Sequence, residues 1–135
     1  MRKMLLSGAL ALLTALGVNA QGYRLVFTGD PVPEASQPVL RQRIQQMLDA
    51  FSLSLTEEED APTLEVAATV TSRMETPGSL SQTALTIDLS LSAKGAKEVF
   101  SLKGVGANEA DAWTRAAKMF LPRSKAAQSF AETLK

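Results

Sequence analysis

The sequence predicts an α+β fold: a two-layer sandwich in which a four-stranded mixed sheet carries two helices on one face. Three observations predict it. Thr63 to Arg73 and Gln82 to Ala93 both alternate apolar and polar residues, the period of half-buried strands. Leu40, Ile44, Met47, Leu48, Phe51 and Leu55 fall on one stripe of a 3.6-residue helix. A second helical run near the end of the chain carries Ala110, Trp113, Ala117 and Phe120 on one face.

In chain order the elements follow from local chemistry. Tyr23 to Thr28 (YRLVFT) is a strand rich in β-formers. Gly29-Asp30-Pro31 ends it, and Pro33 keeps the next stretch out of helix. Ser36 is placed to cap the first helix, with Pro38 tolerated in its first turn. That helix packs its apolar stripe on the core and turns Arg41, Gln42, Arg43, Gln45, Gln46 and Asp49 to water.

Glu57-Glu58-Glu59-Asp60 are four adjacent carboxylates that repel one another, and they read as a solvated loop. Their spacing lacks the alternation and the glycine of an EF-hand. Next, Leu64, Val66, Ala68 and Val70 point one way, while Glu65, Ala67, Thr69, Thr71 and Arg73 point the other. Leu85, Ile87, Leu89 and Leu91 share the core face of the following strand, leaving Thr86, Asp88, Ser90 and Ser92 on its outer face. Thr76-Pro77-Gly78-Ser79 joins the two as a hairpin, Lys94-Gly95 makes a second turn, and Glu98 to Lys103 forms a third strand.

Gly104-Val105-Gly106 breaks that strand. Asn108 caps the next helix, with Asp111 at the capping-box position. Pro122 kinks or splits the helical run, and Ser124 can start a last helix bearing Ala127, Phe130 and Leu134. The order strand, helix, three strands, helix sets the first strand parallel to the one starting near Thr63, through a right-handed crossover. Two antiparallel hairpin connections follow. The far sheet face is left open and rich in Thr, Ser, Asp and Glu.

Residues 1–20 have the pattern of a secretory signal peptide. Arg2 and Lys3 precede an apolar run from Met4 to Val18, and Val18-Asn19-Ala20 is a small-residue cleavage site. The run is about 15 residues, short of the roughly 20 that span a bilayer. Cleavage after Ala20 takes 20 residues from 135 and leaves 115, one domain over residues 21–135. Without Arg2 and Lys3 the 14 basic side chains become 12 against 14 acidic ones, a formal charge of −2. Those bases are scattered singly, which argues against nucleic acid as a partner.

The chain has no cysteine and no histidine. This excludes Ser-His-Asp and Cys-His catalysis and any ordinary zinc site. An exported chain without disulfides fits a bacterial envelope protein with a conventional core. Gln21 occupies the position where a lipoprotein would carry its anchoring Cys, so the expected product is soluble in the periplasm or outside the cell, with no stable membrane anchor.

Candidate chemistry is sparse. Gly104-Val105-Gly106-Ala107-Asn108-Glu109 sits between strand and helix as phosphate loops do, but Glu109 replaces the third glycine of a dinucleotide fingerprint. Glu109 and Asp111 already complement the helix dipole and would repel phosphate. Glu65 and Asp88 share the open face and resemble a glycosidase pair only in residue type, because a flat wet surface offers nothing to raise one pKa. No catalytic residue, metal or cofactor is therefore expected. The candidate partner surface is Glu65, Thr69, Thr71, Thr86, Asp88 and Ser90, hydroxyls and carboxylates that can donate and accept for a protein or envelope component.

The order of elements, the export signal and the strand–Gly-x-Gly–helix join at Gly104 resemble small periplasmic α/β modules of Gram-negative envelope machinery. The lipopolysaccharide-assembly lipoproteins and the amino-terminal domain of the Tol translocation protein share that outline. The resemblance spans nearly all of residues 21–135 at the level of topology and implies a part for binding and assembly. A helix laid on an antiparallel meander is also similar to cystatin-like inhibitors, which implies an inhibitor or enzyme-associated domain acting through a loop edge at Thr76 to Ser79. An exported hydrolase is the third and weakest reading.

Overall fold

A computed structural model describes residues 21–78 and 80–135. The signal peptide inferred over residues 1–20 lies outside the described residues. The elements are β1 (Gln21–Gly29), α1 (Gln37–Asp49), β2 (Leu53–Leu55), β3 (Thr63–Thr76), β4 (Gln82–Ala93), β5 (Ala96–Gly106), α2 (Glu109–Ala117) and α3 (Lys125–Glu132). They build a mixed sheet in the order β2-β1-β3-β4-β5. β1 runs parallel to both β2 and β3, and the β3–β4 and β4–β5 pairs are antiparallel. The architecture is the α+β arrangement expected, with one correction, five strands in place of four; of the two forms expected for the second helical run, kinked or split, the split one is found.

The fifth strand is β2. The helical stripe was read through Leu55, but α1 stops at Asp49, and Ser52 takes a positive φ of 59° that no helix continues through. Leu53–Leu55 then pairs with Gln21 to Tyr23. The third helix arises because the run is split at Pro122, not merely kinked. α2 ends at Ala117, and α3 begins afresh where the Ser124 hydroxyl accepts from the amide of Ala127 at 3.2 Å.

One core joins the layers. Tyr23, Leu25, Leu64, Val66, Ala68, Leu85, Ile87, Leu89 and Leu91 from the sheet meet Leu40, Ile44, Met47, Leu48, Trp113, Phe120 and Phe130 from the helical layer. Trp113 is 1% exposed, as expected of a core anchor. Phe120 is buried just past the end of α2 and meets Phe100 edge-on, ring centroids 4.9 Å apart. Ala110 does not join this face. It is exposed; Ala117 is buried as expected, and Ala112 and Ala116 are buried beside it.

Ser36 occupies the N-cap position of α1, yet its side chain makes no cap hydrogen bond. It is buried and its hydroxyl lies 3.0 Å from that of Thr114 on α2. The residue joins two helices instead of closing one.

The strand following Lys94-Gly95 extends beyond Lys103 to Gly106, so the glycines do not break it. They permit close approach. A Cβ on Gly104 would collide with the carbonyl oxygen of Ala112 and the amide nitrogen of Ala116, and one on Gly106 with the Asp111 carboxylate and the Ala112 amide. α2 therefore lies directly on the backbone of the edge strand.

Candidate functional site

Core packing of all three helices on one side leaves the opposite sheet face without any described element over it. Register defines that face row by row. Thr28 sits beside Ala67, Ser90 and Val99; Val26 beside Glu65, Ser92 and Lys97; and Thr69 beside Asp88 and Ser101. Further toward the β3–β4 turn come Ser72, Thr86 and Lys103, then Met74, Ala84 and Val105.

All six candidate surface residues belong to strands of this face. Glu65 and Thr69 are exposed, while Thr86, Asp88 and Ser90 are half-buried among their neighbours. The Thr28 hydroxyl donates to the Glu65 carboxylate at 2.7 Å across the parallel β1–β3 pair. Thr71 is exposed and its hydroxyl donates to the Thr86 carbonyl at 3.2 Å.

Glu65 and Asp88 are not brought together. Asp88 faces Thr69, four residues along β3 from Glu65, a separation of about 13 Å along the strand. That is too far for two carboxylates to flank one glycosidic bond.

The facing of β3 changes part-way. Register slips between Val70 and Ser72, so Thr71 is the extra residue of a β-bulge. Beyond it Arg73 stands opposite Leu85 on the helix side, and Met74 opposite Ala84 on the open side. Arg73 was expected on the open face; instead its guanidinium forms an ion pair with Glu109 at the start of α2. A bulge has no composition signature in Val70-Thr71-Ser72, so period-two counting carried straight through it.

Asp30 controls where β1 stops. Its amide donates to the Ala68 carbonyl at 2.8 Å and its carboxylate accepts from the Val70 amide at 2.8 Å. The side chain substitutes for the next strand residue, and β3 continues past β1 with its outer edge unpaired by it.

Sequence reading missed the β5 contribution to the face. Lys97, Val99, Ser101, Lys103 and Val105 alternate with the core-facing positions, and Val99 and Val105 are 50% and 49% exposed. Met74, at 67%, completes an apolar row with Ala84 and Val105. Val99, Ser101 and Lys103 alternate within the expected strand, Glu98 to Lys103; the glycines led to ending it before Val105, and it begins before Lys97.

Glu57 to Asp60 are exposed, with Arg41 Nη1 3.6 Å from Glu57. Among the described residues no group of three or more Asp or Glu is arranged to hold a metal ion. The Asp111 carboxyl is held low by its surroundings. The backbone N–H of Ala107 donating to its carboxylate, together with the charges of Arg115 and Lys118, holds it below the ordinary carboxylate value. This completes a variant capping box: Asn108 accepts from the Asp111 amide at 2.8 Å, and the shorter Asp reaches back to Ala107.

No family model matches the chain, and no curated protein matches it. Among solved structures, a minor lipoprotein from Acinetobacter baumannii is similar at a TM-score of 0.42 and 13% identity, over 85% of this chain and 89% of that one. That likeness is too loose to bear on fold or function. No helix among the described residues is long and apolar enough to cross a membrane.

Proposed function

We propose that this chain is an exported, non-catalytic binding module of the bacterial envelope that takes a protein or envelope component on its open sheet face. One observation carries the reading: helices cover one side of the sheet and no described element covers the other. The uncovered side interleaves hydroxyls and charges with exposed Val99, Val105 and Met74, the mix found at non-obligate protein interfaces. The signal-like pattern of residues 1–20 and the absence of cysteine support a location in the periplasm or outside the cell.

The test is chemical crosslinking of the tagged protein in a periplasmic extract, with mass spectrometry of the crosslinked sites. Crosslinks should fall on β3, β4 and β5. Replacing Thr69, Thr86 and Ser90 together by Lys should abolish them, because bulk and positive charge would project from the centre of the contact. Circular dichroism of the variant must be unchanged. Crosslinks confined to the turn between β3 and β4, insensitive to these changes, would refute the open-face reading in favour of an inhibitor-like loop.

A further inference from the structure

β5 is an edge strand, and its outer edge adjoins a cationic groove. The turn at Lys94-Gly95 has both residues at positive φ, 52° and 80°, which identifies a two-residue hairpin. In such a hairpin the flanking pair, Ala93 and Ala96, is hydrogen-bonded, and bonding alternates from there. The even-numbered residues of β5 therefore bond to β4. Lys97, Val99, Ser101, Lys103 and Val105 aim their backbone N–H and C=O groups outward, where no described strand follows.

Because Gly104 and Gly106 let α2 lie against this strand, the outer flank of the helix forms a wall beside the free edge. The groove between them has a volume of about 460 Å³ and includes Lys103, Val105, Asp111, Arg115, Lys118 and Met119 in its lining. Its charge is one-sided. Arg115 pairs with Asp111 at 3.3 Å, whereas Lys103 and Lys118 form no ion pair among the described residues. Lys97 adds a further cation along the same edge, and Glu98 there faces the helix side opposite Leu91. Met119 is 56% exposed.

We propose that the outer edge of β5 and its groove with α2 form a second docking site, which takes an extended acidic segment of a partner protein as an added antiparallel strand. Backbone hydrogen bonds to the outward groups of Val99, Ser101 and Lys103 supply register and most of the contact. Carboxylates on the incoming strand meet Lys97 and Lys103 on one face and Arg115 and Lys118 on the other. Val105 and Met119 receive apolar side chains between them. The same lysines oppose a second copy in the register centred on Phe100, where antiparallel self-pairing sets Lys97 directly against Lys103 of the other chain, and like charges opposed across strands repel. The site shares Lys97, Lys103 and Val105 with the rim of the open face but rests on the strand edge and on α2, which the open-face reading does not use.

Hydrogen–deuterium exchange and fluorescence anisotropy on the purified native protein test this with a synthetic peptide of alternating Glu and Val. The expected result is slowed exchange at the amides of Val99, Ser101 and Lys103, and binding that weakens as salt rises. A Lys103→Glu, Lys118→Glu variant should bind about tenfold or more weakly. Ser101→Pro keeps every charge and removes one outward N–H at an edge position where Pro is tolerated; it should weaken binding as well. An alternating Lys and Val peptide should not bind. The proposal is overturned if inorganic polyphosphate competes and Ser101→Pro binds the peptide normally, since charge alone would then explain the contact. It is equally overturned if protection appears away from β5, if the acidic peptide does not bind, or if the free protein sediments as a dimer through β5. None of these outcomes depends on the Thr69, Thr86 and Ser90 surface, so the two proposals stand or fall separately.

Discussion

The Tyr23 hydroxyl donates to the carbonyl oxygen of Leu134 at 2.7 Å, closing a distance of 111 residues in sequence. The first strand and the last turn of the chain are thereby held together inside the core. Lys94, from the β4–β5 turn, places its ammonium 5.5 Å from the centre of the same ring.

Tyr23→Phe should therefore cost about 1 kcal/mol of global stability, the net worth of one hydrogen bond. The effect should be uneven. Hydrogen exchange in α3 should accelerate more than exchange in β4, because the lost bond is the tie to the carboxyl end. Denaturant melts give the first quantity and exchange the second; uniform acceleration would show that Tyr23 acts through packing alone.

The two faces of β4 should respond differently to truncation. Ile87 is fully buried, and Ile87→Ala should cost about 2–5 kcal/mol through lost transfer energy and a cavity. Ser90 faces the open side, so Ser90→Ala should stay within about 0.5 kcal/mol of neutral. Equal shifts of the urea midpoint would contradict the facing.

Gly104→Ala places a methyl group into the Ala112 carbonyl and the Ala116 amide, both backbone and neither able to rotate away. We expect a loss of about 1–3 kcal/mol, typical of overpacking, with α2 displaced outward. Near-ultraviolet circular dichroism of the lone Trp113 on that helix reports the displacement.

Asp111 confers a pH dependence of known sign. Its folded pKa lies below its unfolded value, which is about 3.9 for an ordinary Asp. The charged form is the one that the folded protein favours, so its stabilising contribution is complete above that value and is lost as pH falls through the folded pKa. Urea midpoints of the native protein and of Asp111→Asn, measured from neutral pH downward, should converge below about pH 4. A gap that widens on acidification would invert the assignment.

How much of this was legible beforehand depended on whether a signal was local. The β3–β4 hairpin, the parallel setting of β1 against β3, the burial of Leu85, Ile87, Leu89 and Leu91 and the caps at Asn108 and Ser124 were each written in residue type and spacing. The short strand Leu53–Leu55 was not, because three residues carry too little periodicity to outweigh a helical stripe running into them. Gly104 and Gly106 misled for a related reason. Glycine marks both the end of a strand and the close approach of another backbone, and only the position of α2 distinguishes the two. The facing of β3 was legible as far as Val70, and of the open-face residues on β5 only Lys97 and Val105 lay outside the expected strand, Glu98 to Lys103.

Thr71 acts as a frameshift written in geometry. Every residue of β3 before it obeys one parity and every residue after it the other, so the base of the hairpin and its projecting arm are faced independently. Were Thr71 instead held in a regular ladder place opposite Thr86, Arg73, now paired with Glu109, would stand on the open side and Met74 on the side of the helices. Whether one residue bulges out or stays in the ladder, without any change of composition, is thus enough to re-dress the outer half of the sheet. Proteins built on this plan can exchange what they present to a partner while leaving the core sequence between Leu64 and Val70 untouched.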